Sequence, residues 1–222
     1  EMYQSPRAAA RAYFVNAATT IHWTRPFSAC LDALTKAADY ALDAADASYY
    51  AYSVGHSIQN MLAMGRSLDE IEEFTDKRWT QALRLYPLDS PPPSATQFSV
   101  QMDRFFAGLR GRASVDDQLA SPSFDPGEHV QDLINRRNPA GVAEWYYKLV
   151  FVAVLSGKNE HVLEYEKALR PYLFASTGQP YSIDLWYLIG IAHADLLRRD
   201  VHPSRKMGVR TIKKVLKKFK KW

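Results

Sequence analysis

Only one cysteine, Cys30, occurs among the 222 residues. An intramolecular disulfide is therefore excluded, which fits a reducing compartment and makes the cytoplasm the expected location. No apolar stretch reaches the roughly 18 uncharged residues that a transmembrane helix requires. The opening "EMYQSPRAAARAYF" has no basic segment followed by an apolar one, so it does not read as a secretory signal. Strand signals are also scarce, because the runs rich in Val, Ile and Thr are short and embedded in helical patterns.

Motifs that carry chemistry are missing. "GLRGRAS" has two glycines but no following Lys-Ser or Lys-Thr, so it is not a phosphate-binding loop. There is no HExxH and no cysteine pair. None of His22, His56, His129, His161, His193 and His202 has a histidine four residues away, the spacing that places two zinc ligands on one helix face. The carboxylates Asp69, Glu70, Glu72, Glu73 and Asp76 crowd the start of one helical pattern, where the helix dipole and solvent account for them. His56 and His193 lie on apolar helical patterns and read as core residues hydrogen-bonded to a neighbouring carbonyl or hydroxyl. Cys30 reads as a small core residue. No catalytic residue, cofactor or metal is expected.

What is present is helical periodicity almost throughout. "FSACLDALTKAADYALDAAD" places Phe27, Leu31, Leu34, Ala38 and Leu42 on one helical face. The next pattern stops at Gly65, suited to a left-handed helix end. Ser67 and Glu70 form a capping box for the one after. "PLDSPPPSATQ" is a Pro-rich break, and 112–127 read as a loop or partly disordered insertion. Pro139 starts a helix that is apolar nearly all round, hence central; Asn159 reads as a cap for its successor. The expected organisation is therefore helix pairs over 1–87, a helix plus an irregular Pro-rich and polar insertion over 88–127, and helix pairs over 128–222 ending in a basic amphipathic helix.

The helices repeat. "NMLAMGRSLDEIEEF" aligns with "FVAVLSGKNEHVLEY", and comparable junctions near Trp23, Gly65, Gly111, Gly157 and Asp200 are 42, 46, 46 and 43 residues apart. A single helix pair cannot bury its apolar faces alone, so such repeats stack. The expected fold is all-α, a right-handed array of antiparallel helix pairs, a TPR-like α-solenoid. The aromatic groups Tyr49, Tyr50 and Tyr52, and Trp145, Tyr146 and Tyr147, read as packing between helix pairs.

Charge is concentrated at one end. Of a net charge of +4, nine basic residues fall between Arg205 and Lys221 with no acidic group among them, so the remainder is net negative. Val209, Ile212, Val215, Leu216, Phe219 and Trp222 follow helical spacing, while Lys213, Lys214, Lys217, Lys218, Lys220 and Lys221 cover the rest. These six lysines are the candidate anion contacts. An isolated helix of this kind would favour an anionic membrane surface or nucleic-acid phosphate. In an array, the apolar stripe instead packs on the preceding helix, "DLWYLIGIAHADLL". With the rest of the chain acidic, nucleic acid is not the expected partner.

"FVNAATTIHWTRPFSACLDALTKAADYALDAADASYYAYS", with His22, Trp23, Pro26, Asp46, Tyr49, Tyr50, Ala51 and Tyr52, resembles the tetratricopeptide-like helical region of large AAA/STAND-type signalling ATPases. "MLAMGRSLDEIEEF" is similar to the next junction of that region, "VFVAVLSGKNEHVLEYEKALRPYL" to a later helix pair, and "IKKVLKKFKKW" to a linker helix. In that family the array lies between a serine/threonine-kinase-like domain with its ATPase and, often, a GAF domain with a histidine kinase. The resemblance implies a non-catalytic sensor or scaffold that binds a protein partner or a neighbouring domain and restrains the ATPase until an inducer binds. It carries over no kinase or ATPase residue, since those motifs are absent here. The start at Glu1 and the end within a helical pattern fit the expectation of a segment from a longer chain. The alternative is a stand-alone adaptor whose basic helix binds an anionic membrane or nucleic acid.

Overall fold

Helix follows helix through residues 5–83 and 93–220, which the computed structural model describes. The helices are α1 (Pro6–Thr19), α2 (Phe27–Asp43), α3 (Ala47–Ala63), α4 (Leu68–Leu83), α5 (Pro93–Leu109), α6 (Pro126–Asn135), α7 (Pro139–Leu155), α8 (Asn159–Leu169), α9 (Tyr181–Arg198) and α10 (Arg205–Phe219). Among the described residues there is no strand, only an isolated bridge between Ser121 and Phe124. The all-α expectation therefore holds. Most of "PLDSPPPSATQ" and the terminal Lys221 and Trp222 lie outside the described residues.

The chain divides into two units: Glu1–Met102 with Gly178–Pro180, and Asp103–Thr177 with Tyr181–Trp222. In the first, α1, α2 and α3 pack side by side, each on its chain neighbour. The face of α2 that reaches the core is Cys30, Ala33, Leu34, Ala37, Ala38 and Ala41. The expected stripe is thus rotated: Phe27, Leu31 and Leu42 are only half-buried. The reason is that α2 is sandwiched between α1 and α3, and close approach on two sides selects small side chains while bulky ones fill the flanks. Asp46 caps α3 by accepting from the Tyr49 amide at 3.3 Å and is held by Arg7 at 3.0 Å, which ties α1 to the start of α3. The Ser67–Glu70 capping box forms as expected, with Glu70 N–H donating to Ser67 Oγ at 3.2 Å and Ser67 N–H donating to Glu70 Oε2 at 3.0 Å.

In the second unit α7 is the central helix. Val142, Trp145, Leu149, Val150 and Val152 are all buried, and α6, α8 and α9 pack around it. A charge from α7 itself is buried here: Lys148 donates to Glu144 at 2.8 Å. Residues 112–127 are irregular, as the loop reading requires, but they are built into the unit. Val115 and Leu119 are buried, Arg104 donates to the carbonyls of Leu119 (2.7 Å) and Ala120 (2.9 Å), and the Tyr165 hydroxyl donates to the Val115 carbonyl at 2.6 Å. Asn159 does not cap α8. It is buried and donates to Asp195 Oδ2 at 2.9 Å, fastening α8 to α9.

Four of the five expected junctions share one geometry. At Gly65, Gly111 and Gly157, φ is 70°, 69° and 73°. In each, the following amide reaches back five residues: Arg66 to Met61, Arg112 to Ala107 and Lys158 to Ala153, at 3.0, 2.7 and 2.9 Å. This is the left-handed helix end with its 6→1 bond. Asp200 repeats it with φ 58°, as do Ala45 (48°) and Arg137 (54°), two junctions that no glycine announces. Trp23 does not; a short 3₁₀ turn, Ile21–Trp23, joins α1 to α2 instead.

Candidate binding surface on the C-terminal helices

Three of the six candidate lysines, Lys213, Lys217 and Lys220, project into solvent, and among the described residues no carboxylate forms an ion pair with them. Two others, the exposed Lys214 and the half-buried Lys218, lie against an aromatic ring. Lys214 Nζ lies 4.8 Å and Lys218 Nζ 4.5 Å from the centroid of the Trp186 ring on α9, both within cation–π range. The sixth, Lys221, lies outside the described residues. The lysines are thus divided between a packed flank and an open one.

The apolar stripe is divided too. Helix α10 packs on α9, as the helix-pair reading expects, but through Gly208, Thr211 and Val215. Ser204 begins the helix by accepting from the Met207 amide at 3.4 Å. A side chain at Gly190 would meet Val215 at 3.1 Å, and one at Gly208 would meet the His202 ring at 3.0 Å, so both glycines permit the close crossing. Val215 is 4% exposed, whereas Leu216 is 56% and Val209 40% exposed. A groove of about 400 Å³ remains beside the crossing, formed by Tyr187, Gly190, Ile191 and Ala194 of α9 with Ile212, Val215, Leu216 and Phe219 of α10. Its lining is almost wholly carbon. Tyr187 at its mouth is 57% exposed and meets Phe219 edge-on at 6.2 Å.

Behind this pair runs a hydrogen-bonded chain that spacing did not reveal. The Ser204 amide donates to His202 Nδ1 at 3.0 Å. That bond leaves the His202 proton on Nε2, which lies 2.9 Å from His193 Nδ1 and donates to it; His193 Nε2 in turn donates to Glu166 Oε2 at 2.9 Å. His193 is 1% exposed. Its partners are therefore a carboxylate and a second imidazole, not the carbonyl or hydroxyl expected. Burial pushes the Glu166 carboxyl up, but the His193 hydrogen bond and the Arg170 charge more than offset it and leave it below the ordinary value. Burial and the neighbouring His193 lower His202. His193 and His202 are nine residues apart and Glu166 lies on another helix, so only the fold brings them together.

Asp116 and His56 are internally occupied. Asp116 takes Lys158, Ser114 and His161 together, and the Lys158 and Ser114 hydrogen bonds hold its carboxyl at about 2. A cleft of about 490 Å³ beside it, of mixed polar and apolar lining with Arg112, Ser156 and Lys158, therefore has its lysine already neutralised. His56 is shared between the Tyr52 carbonyl and Gln179 Oε1, each at 3.1 Å. Among the described residues no three His, Cys, Asp or Glu side chains are placed to hold a metal ion, and no helix is long and apolar enough to cross a membrane. Comparison with protein-family models, curated proteins and solved structures finds no match to this chain.

Proposed function

We propose that this chain is a non-catalytic, TPR-like array of antiparallel helix pairs, a sensor or scaffold segment of a larger signalling ATPase or kinase. It binds a protein partner or a neighbouring domain of the same polypeptide. The recurring left-handed junctions support the array, since equal turns between similar helices are what stacked pairs require. The observation that carries the binding role is the open, carbon-lined groove between α9 and α10. Contiguous apolar surface of this kind, rimmed by charge, marks interaction sites.

The exposed Lys213, Lys217 and Lys220 favour a second reading, an adaptor that meets an anionic membrane or nucleic-acid phosphate. A photo-crosslinker at the groove mouth separates the two. With Tyr187→p-benzoylphenylalanine in the intact protein in its host, the expected adduct is a polypeptide, in trans or in cis. A lipid or nucleic-acid adduct, or none, overturns the protein-binding reading.

A further inference from the structure

Resting on that protein-binding reading, we propose that the occupant of the α9–α10 groove is an amphipathic helix whose apolar stripe is bordered on one side by acidic side chains. The groove has the shape of a helix seat. The groove runs from Tyr187 to Ala194 on α9 and from Ile212 to Phe219 on α10. Each span is two turns, about 10 Å at 1.5 Å per residue. That length is met by apolar side chains at i, i+3 or i+4, and i+7 of a third helix. Gly190 and Ala194, one turn apart on the floor, let a helix axis approach closely, while Tyr187 and Leu216 stand up as walls.

Positive charge borders the groove on one side. Lys213 and Lys220 flank Leu216 at i−3 and i+4, so they border the groove on its α10 side. Farther back, Val209 and the stems of Arg205, Lys206, Arg210 and Lys213 continue the apolar surface under a cover of positive charge. Among the described residues no carboxylate answers these bases. The opposite flank of α10 is different, because there Lys214 and Lys218 are engaged by Trp186. The unanswered charge is thus on the groove side, and it selects a helix with Glu or Asp beside its stripe.

A bilayer fits this surface poorly. An interfacial helix must turn its apolar face into the lipid. The inner residues of α10 face α9, with Val215 almost fully buried, and the groove floor is concave where a lipid surface is flat.

The test uses the full chain and three labelled 18-residue helical peptides with one Leu stripe, flanked on one side by Glu, Gln or Lys, read by fluorescence anisotropy. The Glu peptide is expected to bind, and to weaken about tenfold between 50 and 500 mM salt as screening increases. The Gln peptide binds more weakly and the Lys peptide does not bind. In Lys213→Glu/Lys220→Glu the order reverses; both positions are exposed, so folding is retained and is checked by circular dichroism. Leu216→Ser removes binding of every peptide. Equal binding of the Glu and Lys peptides, an unchanged order in the charge-swapped variant, or no binding of any peptide overturns the proposal. Failure here together with a polypeptide adduct at Tyr187 overturns the acidic-helix chemistry alone; a lipid or nucleic-acid adduct overturns the parent reading. Anionic vesicles that bind wild type and the Leu216→Ser variant equally well, in place of the Glu peptide, assign the lysines to lipid and overturn the proposal as well.

Discussion

His129 shows how one buried base ties stability to pH. Its ring lies among Phe124 and Trp145, 5.3 and 5.4 Å between centroids, and burial, with the Lys148 charge, lowers its pKa to about 4. An unfolded histidine protonates near 6.5. Between these values the unfolded chain binds the proton and the folded chain does not, so stability falls as pH drops from about 6.5 toward 4. His129→Phe keeps the ring packing and removes the proton site. The expected result is a melting temperature that declines less steeply over that window than in wild type, measured by circular dichroism from pH 7 to 4. Because the two proteins share every other titratable group, equal slopes would show that His129 is not held neutral. Residues like this were only partly legible in the sequence. A lone histidine on an apolar pattern announces burial, but not its partners, and Glu166, His193 and His202 sit on segments that meet only after folding.

At the scale of elements, the helices were legible and their inner faces were less so. The Ser67–Glu70 capping box, Pro139 and the glycine stops act within a few residues of chain and can be read locally, whereas Asn159, expected as a cap, is taken by Asp195 of a distant helix. Which side of α2 or α10 turns inward depends on neighbours distant in sequence. Both helices present small residues at their contacts, where hydrophobicity alone points to the larger Phe27, Leu31 and Leu216. The junctions at Ala45 and Arg137 carry no local mark for a related reason: backbone hydrogen bonds hold them left-handed without a glycine. This yields a paired prediction. A non-glycine residue in that region is strained by about 1 kcal/mol. Ala45→Gly should stabilise the protein by up to that amount, and Gly157→Ala should destabilise it by about the same, measured by urea denaturation. A stabilising Gly157→Ala would show that the turn does not constrain α7 and α8.

The two units differ in how their interiors are made, and this sets an expectation for the molecule as a whole. The first buries mainly alanine along α1 and α2. The second buries Trp145, Leu149, Val150, Leu185, Trp186 and Ile189 along α7 and α9. Buried apolar area stabilises at roughly 25 cal/mol per Å², so the unit rich in large side chains is the more resistant to opening. Hydrogen exchange should find the slowest amides in α7 and α9 and faster ones in α1; the reverse order would contradict this. The hydrogen-bonded chain behind α10 adds a constraint of another kind. Ser204 supplies its amide to His202 and its hydroxyl oxygen to the Met207 amide, so the first turn of α10 starts from a point anchored, through two imidazoles, to a carboxylate in α8. The rotational setting of α10 about its own axis therefore has an origin three segments away. Since that setting decides which lysines stand beside the groove and which stack on Trp186, the outward charge pattern of the last helix is indexed to a buried carboxylate.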